Sequence, residues 1–205
     1  MDTITARIRE QLTRRRALLI APFAFAGLVA VSSRKGDDPA ADSAHEVTIV
    51  EFTDGGEKQG PVLVKRVVRS DGEWRKLLSA SQFYVARRGS TDTPYTGTYY
   101  QLHGNGIFRC VCCGTALFGS DAKFDSGTGW PSFWTPIAQE NIRTRTDRSM
   151  FIERVEVLCR RCDAHLGHVF NDGPAPTNLR YCINESSLRF VLSTRHAANV
   201  FNPNL

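Results

Sequence analysis

The 205 residues are 41% hydrophobic and 23% charged, an ordinary globular composition that can bury one full core and little more. The net charge of +5 is local: residues 1–36 hold seven Arg or Lys against two acidic residues, leaving nineteen of each sign elsewhere. A neutral folded part has no basic stripe for phosphates, which excludes nucleic acid as a partner.

Thr13-Arg14-Arg15-Arg16 precedes an apolar run through Val31 that is shorter than a membrane span. Positive charge before such a run resembles a bacterial twin-arginine export signal over 1–32, and implies a periplasmic protein. An uncleaved anchor facing the periplasm is the alternative. Residues 33–69 read as linker and N-terminal extension, small and polar to about Ala44. Two apolar runs, Val47–Val50 and Val62–Val68, flank Gly55-Gly56 and Gly60-Pro61 and predict a hairpin. Ser70 then offers an N-cap to a short helix through Leu78. Beyond Val85 the chain turns often, and from Ile107 it reads as short strands broken by Gly, Asp, Asn and Pro.

Six cysteines fall in the strand-rich part. Cys110 and Cys113 form one Cys-x-x-Cys knuckle and Cys159 and Cys162 another, each able to give a metal two thiolates from a tight turn. Four such thiolates suit a closed zinc site. Disulfides, or a redox pair, would use the same spacing. Gly114 favours metal, because the turn after a knuckle needs a residue free to take positive φ. Cys112 and Cys182 are left over. Between the knuckles, Gly127-Thr128-Gly129-Trp130-Pro131 predicts a rigid loop presenting an aromatic face, or else a core tryptophan on a turn. After the second knuckle come His165 and His168. With four cysteines on the metal, their imidazoles are better used for proton transfer.

Arg180-Tyr181-Cys182-Ile183-Asn184 is flanked by turn signals and an apolar run, and predicts a strand. Alternation puts Arg180, Cys182 and Asn184 on one face and Tyr181 and Ile183 in the core. A cation beside a thiol favours the thiolate, the nucleophilic form. A small buried hydrophobe is the competing reading of Cys182.

Gly106–Cys110, Cys113-Gly114, Lys123–Gly127, Gly129–Phe133, Cys159–Phe170, Asp172–Pro174 and Arg180–Asn184 occur in order. Together they resemble the methionine-R-sulfoxide reductase B family over residues 70–192, with a tail at 193–205. The resemblance implies a mainly β fold of two packed antiparallel sheets, short N-terminal helices and one structural zinc held by Cys110, Cys113, Cys159 and Cys162 away from the chemistry. It implies that Cys182 attacks the sulfoxide sulfur of oxidised methionine in proteins. Arg180 lies beside the thiol, Trp130 and Phe133 bind substrate, and His165, His168 and Asn184 surround the sulfoxide oxygen. A Cys182 sulfenic acid would then be cleared by a thioredoxin-like thiol, and a monomer is expected. Thr128 stands where many members carry a resolving cysteine, Asp92 replaces a glutamate, and Glu185 replaces a small residue. A zinc-stabilised binding module without activity is the rival from another class.

Overall fold

The computed structural model describes residues 46–149 and 153–193. The export signal of 1–32 and the tail beyond 193 lie outside the described residues. Among those described, no helix is long and apolar enough to cross a membrane.

The predicted hairpin is present, with β1 (Glu46–Phe52) antiparallel to β2 (Lys58–Lys65). It is docked on the body rather than left as a linker. Asn141, fully buried, accepts from Val50 N at 2.7 Å and donates to Val50 O and Ala116 O, both at 2.8 Å. Two short helices follow, α1 (Asp71–Leu77) and α2 (Ala80–Arg88). Each opens on a capping box, Ser70 with Glu73 and Ser79 with Gln82, in which side chain and backbone satisfy each other's free amides.

The remaining strands are β3 (Gly106–Cys110), β4 (Ala116–Gly119), β5 (Lys123–Phe124), β6 (Ser132–Phe133), β7 (Ile142–Asp147), β8 (Arg154–Cys159), β9 (His165–Phe170), β10 (Arg180–Ile183) and β11 (Leu188–Leu192). They form two antiparallel sheets, one of six strands in the order β5-β6-β10-β9-β8-β7 and one of three in the order β11-β3-β4. Aromatic residues join the two. Phe108 and Phe118 of the small sheet meet Phe133 of the large one at ring separations of 5.0 and 4.4 Å, and Phe118 also meets Tyr181. Side-chain alternation explains the layout, since Tyr181 and Ile183 enter this core and Cys182 faces the other way.

Phe133 is corrected by this packing. Expected on the sequence to bind substrate, it is fully buried between Phe108 and Phe118, a core position behind the strand that carries Ser132.

Candidate active site

Strand register builds the site as a row across the large sheet. Ser132 on β6 is paired with Cys182 on β10, Cys182 with His168 on β9, and His168 with Glu156 on β8. Directly paired residues project to the same face, so a hydroxyl, a thiol, an imidazole and a carboxylate stand side by side.

His165 joins them through a bulge. His168 lies three positions further along, which on a regular strand would send the two rings to opposite faces. The β8–β9 register shifts between Val157 and Leu158, leaving Leu166 unopposed. One extra residue restores the parity, and the two rings lie 5.5 Å apart. Gly167 beside the bulge has φ +153, and a Cβ there would fall 2.1 Å from the carbonyl oxygen of Cys182. Only glycine lets β9 approach β10 this closely.

Each imidazole is fixed by a carboxylate. His165 donates through Nδ1 to Glu156 at 2.7 Å, and Glu156 also accepts from Arg145 at 2.7 Å. His168 donates through Nε2 to Asp147 at 2.8 Å, and Asp147 accepts from Arg154 at the same distance. A carboxylate only accepts, which sets the proton-bearing nitrogen of each neutral ring. The outward nitrogen of His165, Nε2, is buried and has no hydrogen-bond partner among the described residues. Burial pushes Glu156 up, but hydrogen bonds from His165 and Arg145 outweigh it and hold the carboxyl below its ordinary range. Burial acts on Asp147 in the same way, and bonds from Ser149 and His168 hold it well below that range. Burial also keeps the His168 imidazole below its ordinary value, so it stands neutral at pH 7.

The thiol differs from the sequence expectation. Arg180 does lie beside Cys182 and pulls its ionisation down, as does Thr128, yet burial prevails and the thiol is raised. Part of the arginine's charge is engaged by Asp172, which it holds through two bonds of 2.9 Å, while its guanidinium stacks on Phe170 at 4.5 Å. Asn184 is buried, accepts from Asp92 N at 3.0 Å and donates to Leu166 O at 3.2 Å, leaving one amide N–H. Trp130 is half-buried and donates through its indole nitrogen to Asp92 O at 2.9 Å. Its ring borders a cleft of about 390 Å³ with Tyr95, Tyr100, His103 and Asp125.

Two departures noted in the sequence have structural work. Asp92 accepts from Ser186 N and Oγ at 2.8 and 2.7 Å, tying its loop to the residues after the active strand. Glu185 accepts from Thr98 N and Tyr99 N, both at 2.7 Å. Sequence reasoning missed Glu156, Asp147, Arg145 and Arg154. A lone acid inside Val155-Glu156-Val157-Leu158 was a usable signal, because an unpaired carboxylate is rarely buried; Asp147 at a strand end gave none.

The four knuckle cysteines gather into one cluster whose sulfurs lie within 4.8 Å of one another, with Cys110–Cys162 at 3.6 Å and Cys113–Cys159 at 3.5 Å. A tetrahedron with metal–sulfur bonds of about 2.3 Å has edges of roughly 3.8 Å, so the set fits a metal ion without rearrangement. All six cysteines are unpaired thiols, which sets aside the disulfide reading. Gly114 takes the expected positive φ of 76°. Three of the four sulfurs belong to the inter-sheet core, on the side of the large sheet opposite Cys182.

A strand-borne thiol with two oriented imidazoles and a separate cysteine clamp is the equipment of a thiol-dependent redox enzyme on a β scaffold. Comparison with known proteins narrows this. Residues 78–192, more than half the chain, match the SelR domain. Over 62% of its length the chain is 52% identical to a protein of Herminiimonas arsenicoxydans named peptide methionine sulfoxide reductase MsrB, covering 93% of that protein. With the MsrB of Hahella chejuensis the figures are 53% identity over 61% of this chain and 90% of the relative. With that of Pseudomonas aeruginosa they are 54%, 58% and 89%. The chain belongs to the MsrB family of peptide methionine sulfoxide reductases.

Proposed function

We propose that this protein reduces methionine-R-sulfoxide in oxidised proteins to methionine, with Cys182 as nucleophile. The observation that carries the reading is the row Ser132–Cys182–His168–Glu156, with the unpartnered Nε2 of His165 beside it. Cys182 attacks the sulfoxide sulfur, and the developing oxyanion needs a proton. His165 Nε2, which carries no proton while Nδ1–H is given to Glu156, first takes the Cys182 thiol proton and then gives it to the sulfoxide oxygen. The oxygen passes to Cys182: thiol plus sulfoxide gives sulfenic acid plus sulfide, so cysteine is oxidised as methionine is reduced. Asn184 has one N–H left for the substrate oxygen, and neutral His168, whose only N–H goes to Asp147, can accept from that oxygen once it is protonated. Trp130, held by Asp92, offers its face to the methyl group.

A thiol of a thioredoxin-like partner then attacks the sulfenic sulfur, releasing water, and a second thiol frees Cys182. An internal disulfide with Cys112 is not part of the cycle. Cys112 sits between two knuckle ligands and packs toward Trp74, Leu78 and Phe83, in a cluster apart from the thiol face. Bridging needs Cα atoms within about 7 Å. Zinc is the metal that four thiolates select, and there it ties β3 to the β8–β9 turn. The protein works as a periplasmic monomer, exported through its paired arginines.

Turnover of the two resolved sulfoxide epimers with dithiothreitol tests the reading. Reduction of R and not S is the expected result, and inactivity toward both in folded, metal-loaded protein would leave a binding module.

A further inference from the structure

The row of strands ends, beyond Cys182, in three hydroxyls that the reaction as written does not use. Ser132 Oγ, fully buried, lies 2.7 Å from Ser126 Oγ, which lies 2.8 Å from Thr128 Oγ1. Ser132 also donates to Trp130 O at 3.3 Å. The loop carrying them is held from both sides: Gly127 N donates to Asp125 at 2.9 Å, Tyr95 OH donates to Gly127 O, and Tyr95 N to Gly129 O at 3.0 Å. The same loop thus sets Thr128 at the end of a hydroxyl chain from Ser132, the strand partner of the thiol, where it favours the ionised form of Cys182.

Each hydroxyl has one proton, so the chain can point only one way at a time. Beside a neutral thiol it runs from Cys182 S–H to Thr128, Ser126, Ser132 and the Trp130 carbonyl. Beside a thiolate it must run backwards, with Ser132 donating to Ser126, Ser126 to Thr128 and Thr128 to sulfur. The reversal gives up the 3.3 Å bond to Trp130 and gains a bond to an anion, the stronger kind. It ends on a carbonyl, so the chain carries no proton away; the thiol proton leaves on the histidine side.

We propose that Thr128 is a catalytic residue that stabilises the Cys182 thiolate, with Ser126 and Ser132 as positioning residues in a hydroxyl chain that reverses when the thiol ionises. The inference rests on Cys182 being the nucleophile. The charged groups facing it are Arg180 on its own strand, Asp172 ahead of that strand, His168 on β9 with Asp147 and Arg154 behind it, and His165 with Glu156 and Arg145; Asp125 caps the loop. From β6 and its loop come these neutral hydroxyls, of which Thr128 opposes, without overcoming, the burial that raises the thiol.

The test is the pH dependence of Cys182 alkylation by iodoacetamide in the zinc-loaded full chain, followed by peptide mass. Thr128→Val should move the midpoint up by about one pH unit, roughly tenfold slower alkylation on the acidic limb. Thr128→Ser should restore the native profile, and Ser126→Ala should give a smaller shift in the same direction. An unmoved midpoint in Thr128→Val overturns the proposal. If that variant does not fold, an unmoved midpoint in Ser126→Ala does so instead. Alkylation needs no sulfoxide, so this result stands apart from whether the protein reduces one.

Discussion

Burial and charge act on the Cys182 sulfur in opposite directions, and burial wins despite Arg180. The enzyme therefore depends on groups that act during the reaction rather than on a standing thiolate. Cys182→Ser should abolish turnover while keeping bound metal and shifting stability by less than about 1 kcal/mol, because the side chain is nearly isosteric. Metal analysis beside urea unfolding checks this, and loss of metal would reassign the ligands. His165→Gln should lower kcat by about 10²–10⁴-fold, the usual worth of a general acid. Glu156→Gln should produce a lesser loss, since it removes the charge that orients Nδ1 while leaving Nε2 in place. A larger loss in Glu156→Gln than in His165→Gln would mean that the proton does not come from His165.

At the scale of elements, the site depends on how closely β9 approaches β10. Gly167→Ala would put a methyl group 2.1 Å from the Cys182 carbonyl, which belongs to backbone that cannot rotate aside. The variant should be less stable by several kcal/mol, about the range of overpacked cores and strained glycines, and inactive even where folded. The hairpin β1–β2 is held in a different way, by the three bonds of Asn141. Asn141→Ala should cost about 2–4 kcal/mol through buried backbone groups left unpaired. Proteolysis should then reach the hairpin before the sheets; equal protection of both would show that apolar contacts alone hold it.

For the whole molecule, pH and the proposed zinc are expected to set the limits of stability. His168 is held below its ordinary value, so the stability it contributes is present above about pH 6.5 and is lost as pH falls through its folded value. Asp147 and Glu156 are also held low, so their contribution is present above about pH 4 and is lost on further acidification. The unfolding temperature should therefore fall in two stages between pH 7 and pH 2, and a flat profile from pH 7 to pH 5 would contradict the first. Chelation of the metal, or serine at any of Cys110, Cys113, Cys159 and Cys162, should cost much of the stability because metal binding is coupled to folding. Replacement of Arg14, Arg15 and Arg16 by Gln should leave the protein in the cytoplasm, and unchanged export on fractionation would contradict the leader's role.

Patterns carried by neighbours in the chain were legible without a structure. The alternation around Cys182, the caps at Ser70, the glycine turns of the hairpin and the two knuckles each reflect short-range sterics or a fixed ligand spacing. They determined a β-rich fold, a metal clamp and a strand-borne thiol. What the sequence could not give was the result of distant pairing. The role of Phe133 followed from where the two sheets close, and it lies in the core because its strand partner Tyr181 does. The shared face of His165 and His168 came from one unopposed residue, Leu166, which shows only once β8 and β9 are paired. Glu156, Asp147 and the serine chain reach the thiol across strands far apart in sequence, and the raised thiol reflects how much of the protein covers it. Local pattern thus put the thiol on a strand face beside Arg180 and Asn184; tertiary packing, which sets burial and cross-strand neighbours, decided its charge and its partners.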